Sequence, residues 1–154
     1  MQKKKENEEL TICDVGSGGG FPGIIILILN QEKKLNFHMT LVESNRRKSK
    51  FLKDLTNSLK IKAEVINDRA ENLDKKFDII VARAVAPLPK FLAFCKNIRK
   101  DGTIYILPKG KNYQSELLEL KKQWYYDVNI VNNNEEIDKS GGVTIVLSSL
   151  KKKK

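Results

Sequence analysis

Several familiar signatures are missing from this sequence. Its 154 residues include two cysteines, Cys13 and Cys95. That is too few for a disulfide framework, and their spacing is not that of metal ligands. Both read as small buried hydrophobes, as in a reducing, cytosolic compartment. The single histidine, His38, sits mid-strand by pattern and reads as a core or edge residue rather than a base. The longest apolar run, Ile24 to Leu29, is far too short to span a bilayer. Met1 to Glu9 lacks the apolar stretch of a signal peptide. Neither a membrane nor a metal is therefore expected as a partner. No repeat or linker is visible.

What remains has the composition of one globular domain, 40% hydrophobic and 31% charged, long enough to bury a core without staples. The net charge is +10, and four of the lysines lie in Lys151–Lys154. The surplus suits a polyanion partner, or simply a solvated Lys-rich surface. The tail is expected to be disordered.

Hydrophobic pattern and breakers predict alternating strands and helices. Strands are expected at Leu10–Asp14, Phe37–Glu43, "KAEVI", "FDIIVARA", "GTIYILP", "YYDVNIV" and "GVTIVLSS". Asp101-Gly102 is expected as the turn opening the fifth. Helices are expected at "GIIILILN" with Pro22 in its first turn, at Asn45–Leu59, at Pro87–Asn97 and at Gln114–Gln123. Asn45 suits an N-cap. Phe51, Leu52, Leu55 and Leu59 would form the buried stripe of its helix. The implied fold is α/β, an open seven-stranded, mostly parallel sheet with helices on both faces. Ligands then bind at the C-terminal strand ends, beside the first strand.

The stretch "DVGSGGGFPG", Asp14 to Gly23, links the first strand to the first helix. A phosphate-binding P-loop needs a Gly-Lys-Ser/Thr ending, and no lysine lies between Asp14 and Asn30. Gly18, Gly20 and Gly23 have the dinucleotide GxGxxG spacing, but a carboxylate at Asp14 would repel a pyrophosphate. S-adenosylmethionine (SAM) has the opposite needs, since it carries a sulfonium and an ammonium and no phosphate. Asp14, Gly16, Gly18 and Gly20 suit that ligand, the glycines by letting backbone approach it. Glu43, ending the second strand, can accept hydrogen bonds from both ribose hydroxyls. NAD enzymes place an acid there too, so Asp14 carries the distinction.

Methyl transfer from a sulfonium relies on positioning. The turn after the fourth strand reads "ARAVAPLP" and lacks the Asn/Asp-Pro-Pro-aromatic sequence used on exocyclic amines. Neither cysteine lies in a loop, as attack on pyrimidine carbon-5 requires. No general base is evident. That suits a nucleophile with a free lone pair, such as guanine N7. Arg83 follows the apolar strand at the ligand edge, either as a rim ion pair or as a fork toward cofactor or RNA. Lys109 and Lys111 flank Gly110 on the same edge. Arg46, Lys50 and Lys53 share a helix face, solvated or touching phosphates.

Taken in order, "DVGSGGGFPG", "LVES…RRKSKFL", "ARAVAPL" and "PKG" resemble the RsmG (GidB) family. These are bacterial guanine-N7 methyltransferases of small-subunit ribosomal RNA. The resemblance runs from about Leu10 to Leu150 and is firmest from Asp14 to Gly110. It implies a Rossmann-like class I SAM-dependent enzyme acting on a guanine in the 530 loop of 16S rRNA within the small ribosomal subunit. Gly16 and Phe21 would bind cofactor, Ala70 and Glu71 would flank adenine, and Arg83 would be a cofactor-site and positioning residue. Arg47, Lys48 and Lys109 match positions suited to RNA contact. The expected organisation is a Lys/Glu-rich segment over 1–9, without the family's helical extension, then a methyltransferase domain over 10–150 and a basic tail over 151–154. A cytoplasmic monomer is expected. Other readings left open by the residues are a small-molecule methyltransferase, a non-catalytic RNA- or ribosome-binding module, and a nucleotide-dependent reductase.

Overall fold

A computed structural model describes residues 9–133 and 141–154. Most of the expected N-terminal segment, residues 1–8, lies outside them. The order is β1 (Leu10–Val15), α1 (Gly23–Lys33), β2 (Phe37–Val42), α2 (Arg46–Ser58), β3 (Glu64–Ile66), a 3₁₀ turn (Ala70–Asn72), β4 (Phe77–Val81), α3 (Leu88–Phe94), β5 (Arg99–Lys109), α4 (Tyr113–Gln123), β6 (Trp124–Asn132) and β7 (Val143–Lys152). The strands lie side by side as β3-β2-β1-β4-β5-β7-β6. β1 through β5 pair in parallel, whereas β7 runs antiparallel to β5 and to β6.

Both faces of the sheet are covered, and the two-residue period of the strands divides the core accordingly. Cys13, Val15 and Ile80 face one layer with Leu88, Phe91, Leu92 and Leu120. Ile12, Met39, Leu41 and Val81 face the other with Ile24, Leu27 and Leu52. Both cysteines are free and buried, as expected.

Three local expectations are corrected. The buried line of α2 is Ser49, Leu52 and Thr56, whereas Phe51 and Leu59 are exposed. Asp101-Gly102 does not open β5. The strand pairs Arg99 with Phe77 and then Ile104 with Ile79, so the turn is an irregularity inside it. The Thr103 hydroxyl braces that irregularity by accepting from Lys100 N and donating to Phe77 O. The lysine tail is not free: Lys151 and Lys152 continue β7 opposite Tyr125 and Trp124, and Lys153 N donates to Gln123 O.

Candidate cofactor site

β1 is flanked by β2 on one side and β4 on the other, so a crevice opens at their C-terminal ends. The glycine loop enters that crevice. Gly16 N and Ser17 N both donate to Val42 O, at 2.8 and 3.1 Å, which ties the loop to the end of β2. Gly16 has a φ of +70°, the left-handed region that side chains disfavour.

Glu43 emerges one residue after β2. Its Oε2 accepts from Gly18 N at 2.8 Å and its Oε1 from Asn45 N at 2.8 Å. Both oxygens are therefore oriented, and each keeps a lone pair for another donor. Asn67 steadies the same turn by donating to Glu43 O and Ser44 O. Asn45 caps α2 as expected, accepting from Arg47 N and Lys48 N at 3.0 and 3.1 Å. The side chains of Arg47 and Lys48 are exposed at this edge. Arg46, Arg47, Lys50 and Lys53 line a neighbouring depression, in which Lys50 pairs with Asp54 at 2.7 Å.

Asp14 does not stand at the mouth of the loop. It is fully buried on the α1 side of β1, and its Oδ2 accepts from Gly23 N at 2.9 Å. Pro22, at the N-cap of α1, makes no side-chain cap bond, so the carboxylate of Asp14 fills that role at the positive helix end. A Cβ on Gly23 would overlap Asp14 Oδ2 and the Leu41 side chain, which explains the glycine there. Burial pushes the Asp14 carboxyl up to about 6, opposed by the Gly23 N–H, by Ser17 and by Arg83. Asp14 therefore holds the loop rather than facing a cationic ligand. Gly20 also serves packing, since a Cβ there would stand 2.6 Å from Ile24 Cγ1.

Gly16, Val42, Ala70, Glu71 and Val85 wall a cavity of about 200 Å³, completed by residues of the β3 turn and by Phe94. Of these, Val85, Ser44, Asp68, Arg69 and Phe94 were not singled out from the sequence. Val85 lies within the "ARAVAPL" stretch, and that motif was the available signal. Arg83 Cζ lies 5.6 Å from the centroid of the Phe21 ring, a cation–π distance. The structure thus brings Gly16, Ala70 and Glu71 to one cavity, Gly18 onto Glu43, and Phe21 onto Arg83.

Lys109 is placed differently from its expectation as an RNA contact. Its side chain is 12% exposed and pairs with Glu116 at 2.8 Å, while also donating to Ala86 O at 3.0 Å. Glu116 in turn accepts from Leu88 N. Lys109 therefore fastens the loop after β4 to α4. His38 lies toward the opposite strand end, 3.7 Å from Glu64. Among the described residues, no group of three or more His, Cys, Asp or Glu is placed to hold a metal. No helix among them is long and apolar enough to cross a membrane.

Comparison with known proteins decides the family. The family model described as GidB, rRNA small subunit methyltransferase G, matches residues 1–141. The chain belongs to that family. A relative named ribosomal RNA small subunit methyltransferase G, from Methylobacterium nodulans, is 35% identical over 138 residues. The match covers 88% of this chain and 64% of the relative, so the chain spans somewhat under two thirds of that protein's length. Among solved structures, a ribosomal protein L11 methylase from Lactobacillus delbrueckii subsp. bulgaricus superimposes with a TM-score of 0.69 at 17% identity, covering 93% of this chain and 71% of that one. A SAM-dependent methyltransferase from Aquifex aeolicus gives 0.66 at 16%, covering 90% and 81%. At such identities the likeness speaks for the fold alone, and the fold is the Rossmann-like one of SAM-dependent methyltransferases.

Proposed function

We propose that residues 10–150 form a SAM-dependent methyltransferase domain that modifies N7 of a guanine in the 530 loop of 16S rRNA, as a cytoplasmic monomer. The observation that carries this reading is the Glu43–Gly18 brace beside the Gly16 cavity, in a chain of this family. The geometry of the site suits an adenosine-bearing ligand, and membership of this family supports SAM as that ligand. Glu43 has two fixed acceptors with spare lone pairs for ribose hydroxyls. The cavity of about 200 Å³ is below the range of whole-ligand pockets and suits the base and part of the ribose. The absence of a side chain at Gly16 keeps its mouth open.

Bound SAM supplies a methyl group activated on a sulfonium. The residues do the rest by placement. Glu43 fixes the ribose. Ala70, Glu71 and Val85, which line the cavity, would hold the adenine. Phe21 and Arg83 form the rim where the acceptor base approaches, and Arg83 serves as a positioning residue. Guanine N7 offers its lone pair without losing a proton, so the scheme needs no general base. Arg47 and Lys48, exposed on the same edge, are suited to backbone phosphates.

Mass mapping of 16S rRNA with and without the gene, beside calorimetric SAM titration of the protein, tests the proposal. A missing methyl group at the 530 loop in the deletion strain is the expected result. SAM binding without affinity for RNA would favour a small-molecule substrate. RNA binding without SAM would favour a non-catalytic module. Saturable NADH binding in place of SAM would favour a reductase.

A further inference from the structure

A second cavity lies at the other end of the sheet. It encloses about 600 Å³, between the start of β5, the residues after α3 and the end of β7. Because β7 runs antiparallel to β5, its last residues arrive beside Asp101 and Gly102. The length of β4 separates this cavity from the cofactor edge by roughly 15 Å.

Its walls are strongly basic. Lys76, Lys96, Arg99, Lys100 and Lys151 face a single acid, Asp101. Lys100 is committed to Asp78 at 2.6 Å, and Lys76 to the carbonyls of Asn97 and Arg99. Lys96 and Lys151 are exposed and have no acidic partner among the described residues. Deeper in, Arg99 stacks on Trp124, with Cζ 4.6 Å from the ring centroid. Arg99 Nη1 is buried without a hydrogen-bond partner, and so is the hydroxyl of Tyr105, a residue only 1% exposed. Burial pushes the Tyr105 hydroxyl up, and Arg99 pulls it back by its charge and by a guanidinium N–H directed at the hydroxyl. Buried donors left unmade are costly. An anion oxygen entering here would give Arg99 Nη1 the acceptor it lacks.

We infer that this cavity holds a phosphodiester of an RNA strand, a second contact remote from the methyl-transfer edge. Arg99, Lys96 and Lys151 are donors with no acceptor capacity, which suits phosphate. The cavity is far larger than one phosphate. From it the lysines of β7 lead along an aromatic edge, where Lys153 lies 4.8 Å from the ring centroid of Tyr125 and Tyr125 is 64% exposed. Cations interleaved with exposed aromatic rings are the pattern that tracks a single strand. The inference rests on the RNA-substrate reading above and gives that substrate a second handhold.

Trp124 is the sole tryptophan, so its fluorescence reports on the cavity through the Arg99 guanidinium stacked on it. The full chain should be titrated with a 16S rRNA fragment carrying the 530 loop and its flanking strands, and separately with pyrophosphate. RNA should change Trp124 emission saturably. The double variant Lys96→Glu/Lys151→Glu, both at exposed positions, should bind RNA roughly tenfold more weakly and lower the salt slope by about 1.5, with SAM affinity unchanged. RNA affinity equal to wild type in that variant, or Trp124 emission unmoved at saturation, overturns this inference alone. Pyrophosphate saturation that RNA does not compete away overturns it in favour of a small-anion site. A wild type that binds SAM but no RNA overturns it together with the RNA-substrate reading.

Discussion

Gly16 lies directly beneath Val85: a Cβ on Gly16 would stand 2.8 Å from Val85 Cγ2. The loop after β1 and the loop after β4 therefore meet at one point, and that point is a wall of the cavity. Gly16→Val adds a branched side chain where φ is positive and where Val85 already sits. SAM binding should be lost in a variant that remains folded. Unchanged SAM affinity in calorimetry would remove the cofactor assignment.

Glu43 is held by two backbone N–H groups, and each of its oxygens keeps a lone pair for another donor. Glu43→Ala should weaken SAM by roughly 1.5–3 kcal/mol, the scale of hydrogen bonds to a charged group. NADH should show no saturable binding to the wild type. NADH binding in place of SAM would reverse the ligand assignment.

Asp14 gives a pH signature. Its folded pKa is about 6, raised from 3.8, so the folded chain holds this proton more tightly than the unfolded chain. Ionisation then costs stability. The cost is absent below about pH 4, grows as pH rises toward 6, and is complete above it, amounting to at most about 3 kcal/mol. Asp14→Asn keeps an oxygen for Gly23 N and should be more stable than wild type at pH 7.5, the gap closing as pH falls to 4. Urea unfolding of both proteins across that range measures it. A gap that stays constant with pH would contradict the buried, desolvated carboxylate.

Arg83 and Lys109 can be separated by experiment. Arg83→Ala should cut turnover steeply and leave RNA affinity nearly intact, with lysine an incomplete substitute because it lacks the planar fork. Lys109→Ala should instead cost stability, about 1.5–3 kcal/mol for a charged hydrogen-bonded pair, and leave the RNA salt slope unchanged. A lowered slope in Lys109→Ala would restore it as a phosphate contact.

Arg47→Ala and Lys48→Ala are the converse case. Each should lower the RNA salt slope by about one or less, with SAM affinity unaffected. Filter binding across a salt series reads this out, and an unaltered slope would return both to the solvated surface.

The sheet was legible because its strands are buried on both faces and read as apolar runs broken by turns. Asn45 was legible because capping is local. The orientation of Asp14 is not legible in the sequence. One residue of strand register decides which face a side chain takes, and β1 turns Asp14 toward α1 rather than toward the ligand. Lys109 was misjudged because its partner, Glu116, is placed by the α4 packing and not by local spacing. The α2 stripe failed at Phe51 and Leu59 because helical periodicity names an apolar arc, while the close approach of helix to sheet selects Ser49 and Thr56 within it. The basic cavity was out of reach, since it assembles residues from β5, β7 and the α3 exit that no local pattern connects.

The first strand among the described residues lies in the middle of the sheet. Thr11 reaches across to Asp78, 67 positions later, with its amide and hydroxyl both donating to that carboxylate. During synthesis, β1 can pair with β2 as soon as both have emerged, but its other side waits for β4. Until then the nascent half-domain carries an open, apolar edge, the kind of edge that recruits other chains. The dependence on distant pairing also slows closure relative to a fold built from neighbours. Speed of translation across residues 43–81 thus sets how long that edge stays bare.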